Sequence, residues 1–142
     1  MGVDFPEPLK RQLADMQRPL ALYGSANGLL WTPRRNFHLT LFYLGTTPVS
    51  LLGPLTAALT EAARACTPFP LAFGRLDCFP DTGVPRVLFL ETHDHTGGLQ
   101  RLYESICGAL AQFDFHPDHA DFRPHVTLCR AGRRPSPQRL RG

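Results

Sequence analysis

No stretch of the 142-residue chain approaches the roughly 18 consecutive apolar residues of a membrane span. The first ten residues, MGVDFPEPLK, also lack the apolar core of a secretory signal, so a cytoplasmic protein with no membrane partner is the expectation. There is no Cys-x-x-Cys pair. Cys66, Cys78, Cys107 and Cys129 lie far apart in or beside apolar segments, which is the distribution of buried thiols and not of a redox or metal motif. A broad excess of positive charge is missing too. The formal net charge is +3, but Arg130, Arg133, Arg134, Arg139 and Arg141 crowd the C-terminal end and leave the rest slightly negative. The folded body is therefore not a basic surface, and long-range attraction to a polyanion is confined to the end segment RAGRRPSPQRLRG. With 43% hydrophobic and 19% charged residues the chain is too apolar to be disordered. Its length suits one domain, expected over residues 1–132, with 133–142 as a basic, flexible tail.

Periodicity separates the segments that remain. Pro6 stands at a plausible helix start, with Leu9, Leu13 and Met16 following at helical spacing. Residues 28–32 predict a short strand closed by Pro33. FHLTLFYLG, residues 37–45, is apolar, aromatic and too short for a helix, and so predicts a strand. Residues 48–66 read as an amphipathic helix through Leu51, Leu52, Leu55, Leu59 and Ala62. Two strands, 69–79 and 84–91, are joined by a PDTG turn. A second amphipathic helix covers 96–113 through Leu99, Leu102, Ile106 and Leu110. FRPHVTLCR, residues 122–130, is the last strand, and Pro124 puts it near an edge or a bulge.

These segments form a weak internal repeat: strand, helix, then a strand bearing His-x-Thr. The second half supplies VLFLE, a helix and HVTL, whereas the first supplies a stub, MGVDF, a helix and HLTL. Relative to its own repeat the sequence is short at both ends. Side chains two apart on a strand share a face. His38 therefore projects with Thr40, and His125 with Thr127, while Leu39, Leu41, Val126 and Leu128 turn into apolar packing. Two imidazoles and two hydroxyls around one phosphodiester suit hydrolysis, one histidine taking a proton from water and the other giving one to the departing oxygen. The hydroxyls can hold nonbridging oxygens, and Arg130 can meet developing negative charge.

NFHLTLFYLG, PRVLFLE and FRPHVTLCR together resemble the bacterial and archaeal RNA 2′,3′-cyclic phosphodiesterases, historically 2′-5′ RNA ligases, within the two-histidine (2H) phosphoesterases. The resemblance runs in order from about Asp4 to Arg130. It implies an α+β fold of two similar lobes, each an antiparallel sheet with helices packed outside, facing a central cleft. It implies that His125 is the base for water and His38 the acid toward the 3′ oxygen. Thr40, Thr127 and Arg130 would bind substrate, and RNA ends or cyclic nucleotides would be the partners. No cofactor or metal is expected. The activity implied is opening of 2′,3′-cyclic phosphate ends to 2′-phosphates, with 2′-5′ ligation as a possible reverse. Alternatives are another small cyclic or 2′-5′-linked nucleotide, or a noncatalytic RNA-end binder.

The other polar and aromatic residues have plainer readings. His93 and His95 read as solvent-exposed at a strand-to-helix connection. His116 and His119, with His125, match no common ligand spacing and cross Pro117. Trp31, Tyr43 and Phe79 read as core aromatics, with base stacking as the alternative. Arg34 and Arg35 are open between phosphate contacts and solvation.

Overall fold

The computed structural model describes residues 1–24 and 28–132, so the expected tail at 133–142 lies outside the described residues. In chain order these form β1 (Gly2–Asp4), α1 (Glu7–Gly24), β2 (Leu29–Trp31), a 3₁₀ turn (Arg34–Asn36), β3 (His38–Thr40), α2 (Val49–Arg64), β4 (Ala72–Phe79), β5 (Val87–His93), α3 (Gly98–Ala111) and β6 (His125–Ala131). The α+β class is as expected. The strands form a six-stranded sheet in the order β1-β3-β6-β5-β4, with β2 also paired to β6. That last pair is antiparallel, with Leu29, Leu30 and Trp31 opposite Ala131, Arg130 and Cys129. No helix among the described residues is long and apolar enough to cross a membrane.

Three local expectations change. The strand expected over 37–45 is only His38–Thr40. Beyond it the amides of Leu41 and Phe42 both donate to the Met1 carbonyl, at 3.1 and 3.2 Å, so the alternating ladder ends there. The N-terminal stub itself forms β1, whose neighbouring terminal ammonium donates to the Phe42 carbonyl at 2.8 Å. Finally, β6 is no edge strand, because it sits between β3 and β5. Pro124 precedes its first residue and accepts a bond from the Thr92 amide at 3.1 Å, so its missing N–H costs the strand nothing.

Compactness divides the chain into two units that are not its consecutive halves. One gathers Met1–Val3, Leu39–Gly74 and Glu91–His125. Its helices α2 and α3 pack on each other, burying Leu55 and Ala62 from the first and Leu99, Leu102, Ile106, Ala109 and Leu110 from the second. The α3 set recurs at three- and four-residue intervals, which is what puts one stripe of a helix inside. The other unit gathers Asp4–His38, Arg75–Leu90 and the chain from Val126 onward. Its core holds Phe5, Leu13, Phe37, Phe89, Leu90, Val126, Leu128 and Cys129.

The start of α3 is held by Asp94, whose carboxylate accepts from the Leu99 amide at 2.7 Å, the Thr96 amide at 2.8 Å and the Thr96 hydroxyl at 2.6 Å. Desolvation pushes its pKa up, but these hydrogen bonds from Thr96, Leu99 and Gly98 outweigh that and hold it at about 2, against an ordinary 3.8. A depressed carboxyl stabilises the fold above its unfolded pKa and loses that contribution as pH falls through the folded value. Asp94→Asn should therefore melt a few degrees below the parent protein at neutral pH. The gap should close as pH falls from about 3.8 toward 2, the window set by these two values. Thermal melts followed by circular dichroism across pH 2–7 measure it; a gap independent of pH would mean the carboxylate charge is not what caps the helix.

Candidate active site

Each His-x-Thr motif is assembled by the residues just before it. Pro33 is extended, and the 3₁₀ turn after it is closed by bonds from the Asn36 amide to the Pro33 carbonyl (2.8 Å) and from the Phe37 amide to the Arg34 carbonyl (3.3 Å). Phe37 is then fully buried, and His38 emerges on the exposed face of β3. Burial alternates as the sequence predicts. Phe37, Leu39 and Leu41 are inside, while His38 and Thr40 are exposed. On β6, Val126 and Leu128 are fully buried, and His125 and Thr127 are half-buried.

The two imidazoles are oriented in the same way. His38 Nδ1 lies 2.7 Å from the carbonyl of Asn36, and His125 Nδ1 lies 2.7 Å from the carbonyl of Arg123. Both partners are two residues upstream. A carbonyl oxygen can only accept, so Nδ1 carries the hydrogen and donates it. That selects the same tautomer at both motifs and assigns proton exchange to Nε2, which can take a proton when the ring is neutral or give one when it is charged. A backbone carbonyl is a rigid partner, so the ring direction is set by the strand's own approach.

Around His38 the supporting residues come from α1. Lys10, only 7% exposed, makes a 2.6 Å ion pair with Asp4 and donates to the Arg35 carbonyl at 3.2 Å. The Lys10 hydrogen bond, aided by the Phe5 amide, holds the Asp4 carboxyl below its ordinary value. A buried ammonium is tolerable only when paired in this way, and here it ties β1 to the turn that leads into His38. Arg34 pairs with Glu7 at 3.6 Å, which favours a structural role for it over phosphate contact. Beside Thr127, the Gln17 amide donates to the carbonyls of Leu128 (2.8 Å) and Thr32 (3.1 Å), and the Thr32 amide donates to Leu128 at 2.8 Å.

The motif strands are neighbours in the sheet order. One compact unit contains Thr40 and His125, and the other His38, Thr127 and Arg130. Arg130 is exposed and in register with Leu30. Alternation breaks just before it, since Leu128 and Cys129 are both buried, so period-two counting does not place its side chain with Thr127.

The other candidates fall outside the motifs. His93 and His95 are exposed as expected, their rings stacked at 6.5 Å. His116 contacts Asp114 at 3.2 Å, and no group of three His, Cys, Asp or Glu that could hold a metal ion occurs among the described residues. Phe79 is half-buried and stacks on the buried Phe89 at 4.2 Å. Trp31 is half-buried with its indole nitrogen unmatched, whereas Tyr43 is 75% exposed and is not a core aromatic. All four cysteines are free, but only Cys129 is buried, and burial pushes its thiol pKa up. Sequence reasoning missed Lys10, because a lysine at a helical spacing ordinarily reads as solvated. It also ended β5 at Glu91, two residues short, and so left His93 in a loop.

The model of the 2′-5′ RNA ligase superfamily matches residues 5–141. The chain belongs to this superfamily. Among its curated relatives, the RNA 2′,3′-cyclic phosphodiesterase of Bacillus subtilis is 31% identical over 92% of this chain and 69% of its own length. The protein of the same name from Archaeoglobus fulgidus is 27% identical over 94% of this chain and 72% of its own. A crystal structure from Thermus thermophilus superposes with a TM-score of 0.76 at 28% identity, covering 96% of this chain and 75% of that one. Escherichia coli LigT, crystallised with 3′-AMP, shares the fold at a TM-score of 0.72 and 21% identity over 92% of this chain and 71% of its own.

Proposed function

We propose that this superfamily member hydrolyses the 2′,3′-cyclic phosphate end of RNA to a 2′-phosphate. Residues 1–132 serve as one catalytic domain of two pseudo-symmetric lobes. The observation that carries the reading is the repeated clamp, an imidazole Nδ1 held 2.7 Å from the carbonyl two residues upstream in both motifs. An isolated surface histidine has no need of it, whereas two proton-transfer groups do. The names of the relatives, RNA 2′,3′-cyclic phosphodiesterases, agree with it.

His125 Nε2 takes a proton from water, and the water oxygen bonds to phosphorus. The bond from phosphorus to O3′ breaks, and His38 Nε2 gives its proton to that oxygen. Products are a 2′-phosphomonoester and a 3′-hydroxyl; with an RNA 5′-hydroxyl in place of water as the nucleophile, the same steps in the same direction join a 2′-5′ linkage and free the 3′-hydroxyl. Thr40 and Thr127 hold the nonbridging oxygens, and the Arg130 guanidinium offsets the charge that builds on them. The proton transfers call for no metal. Four free thiols suit the reducing cytoplasm as the place of action.

A cyclic-ended oligoribonucleotide, incubated with the protein in excess EDTA and followed by phosphorus NMR, tests this directly. The expected product is a 2′-phosphate, formed as fast as without chelator and with a bell-shaped pH profile. Mainly 3′-phosphate would reverse the acid and base or the substrate pose. Loss on chelation restored by a divalent ion would replace the two-histidine mechanism with a metal-dependent one. Turnover only of small cyclic or 2′-5′-linked nucleotides would move the protein to a different substrate within the superfamily.

A further inference from the structure

Each motif histidine donates from Nδ1 to a carbonyl two residues upstream, and whether that carbonyl meets the ring depends on the torsions of the residue between them. In the first motif that residue is Phe37, with φ −65° and ψ 122°. Its φ is held by the 3₁₀ turn, through the bond from the Phe37 amide to the Arg34 carbonyl at 3.3 Å. The second motif is approached differently. Residues 122–124 belong to no helix or strand, and the place equivalent to Phe37 is taken by Pro124. A proline ring sets the same angle without a hydrogen bond, because it locks φ at about −65° and has no N–H to place.

The other torsion is set by the sheet. The Pro124 carbonyl accepts from the Thr92 amide on β5 at 3.1 Å, which fixes the plane of the peptide leading into His125. Both rotations between the Arg123 carbonyl and the His125 backbone are therefore restrained, one covalently and one by strand pairing. Proline also acts backward, confining Arg123 to extended conformations. One residue earlier, Phe122 lies flat on Tyr103 of α3, with ring centroids 4.0 Å apart and planes within 3°, so the approach is anchored inside the unit that carries His125.

Pro124 is half-buried, and its bond to β5 runs through its carbonyl, which any residue would keep. Removing the ring thus frees φ while leaving the strand pairing and the core in place. We infer that Pro124 is a positioning residue. Its ring takes the part that the 3₁₀ turn plays in the first motif, presenting the Arg123 carbonyl so that His125 keeps its hydrogen on Nδ1 and leaves Nε2 for proton transfer. The kinetic half of this assignment rests on the cyclic phosphodiesterase reading above; the tautomer half does not.

Pro124→Ala and Pro124→Val are compared with the parent protein by nitrogen NMR of ring-labelled histidines and by steady-state kinetics on cyclic-ended RNA. Alanine visits a wide range of φ, and the branched side chain of valine favours extended angles of about −120°. At a pH where the rings are neutral, the parent should show the Nδ1–H form at both His38 and His125. In the variants His125 should become a mixture of tautomers, more so with valine, while His38, held by its own turn, stays unchanged. The kcat should fall about tenfold, short of the ~100-fold that a misplaced catalytic group can cost, with KM within about twofold. Melting temperatures should drop by no more than a few degrees, as expected for the loss of one proline constraint. An unchanged His125 tautomer, or an unchanged kcat, in both variants overturns the inference. So does an equal change at both histidines, which would mean a general loosening of the fold. A parent that turns over no cyclic-ended RNA, yet shows a tautomer change confined to His125 in the variants, overturns the phosphodiesterase reading and keeps the positioning of His125 by Pro124.

Discussion

Replacing either His38 or His125 with alanine lowers turnover of the cyclic-ended RNA by at least ~100-fold, the usual loss when a general acid or base is removed. Each ring's Nδ1 is committed to a backbone carbonyl at 2.7 Å, so each Nε2 has one proton to give or take. The fold should persist in both variants, because His38 is exposed and His125 half-buried, and neither contributes to the core. The two losses should not multiply in the double variant, since the histidines act on one proton-relay event. The measurement is single-turnover kinetics on purified, spectroscopically folded variants. A variant that keeps near-normal turnover would end the two-histidine mechanism.

Leu39→Ala and Leu128→Ala destabilise the protein by about 2–5 kcal/mol each, the range for emptying a fully buried leucine site. Both side chains have no exposed surface and lie directly behind the motif residues, one between His38 and Thr40 and one after Thr127. A domain of this size holds only about 5–15 kcal/mol in total. Either change therefore removes a large share of the stability, and both together should leave little folded protein at physiological temperature. Urea unfolding gives the difference, with an unchanged slope as the sign that the same cooperative unit is unfolding. A shift below about 1 kcal/mol would mean the core behind the motifs collapses around the void more readily than its close packing suggests.

Much of this was legible in the residues alone, and the reason differs by element. The helices could be read because leucines at three- and four-residue intervals have no other efficient way to be buried: α3 keeps Leu99, Leu102, Ile106 and Leu110 inside as their spacing requires. The motif faces could be read because a strand allows only two directions, and the tight apolar alternation of HLTL and HVTL assigns one to packing. Strand lengths could not. β3 stops at Thr40 although the aromatic run continues, because the amides of Leu41 and Phe42 find their acceptor in Met1, a residue remote in sequence. Of the two readings Pro124 offered, an edge or a bulge, the edge fails for a related reason. Its effect depends on whether it falls inside a strand or one residue before it, and only the pairing partner decides that.

By itself, then, the sequence determined the α+β class, the buried stripe of α3 and the pairing of each histidine with its threonine, since these follow from local periodicity and from the chirality of the chain, whereas Leu52, read on the packed face of α2, is 50% exposed. Tertiary structure decided the rest. Which nitrogen of each imidazole carries the proton depends on carbonyls presented by a 3₁₀ turn and by the approach through Pro124. Lys10 is buried because Asp4 and the Arg35 carbonyl converge on it, and Gly74 and His93, far apart in the chain, are fitted together by strand pairing. Such contacts join residues whose separation along the chain carries no period, so no pattern in the sequence announces them; they exist only once the sheet has brought the strands into register.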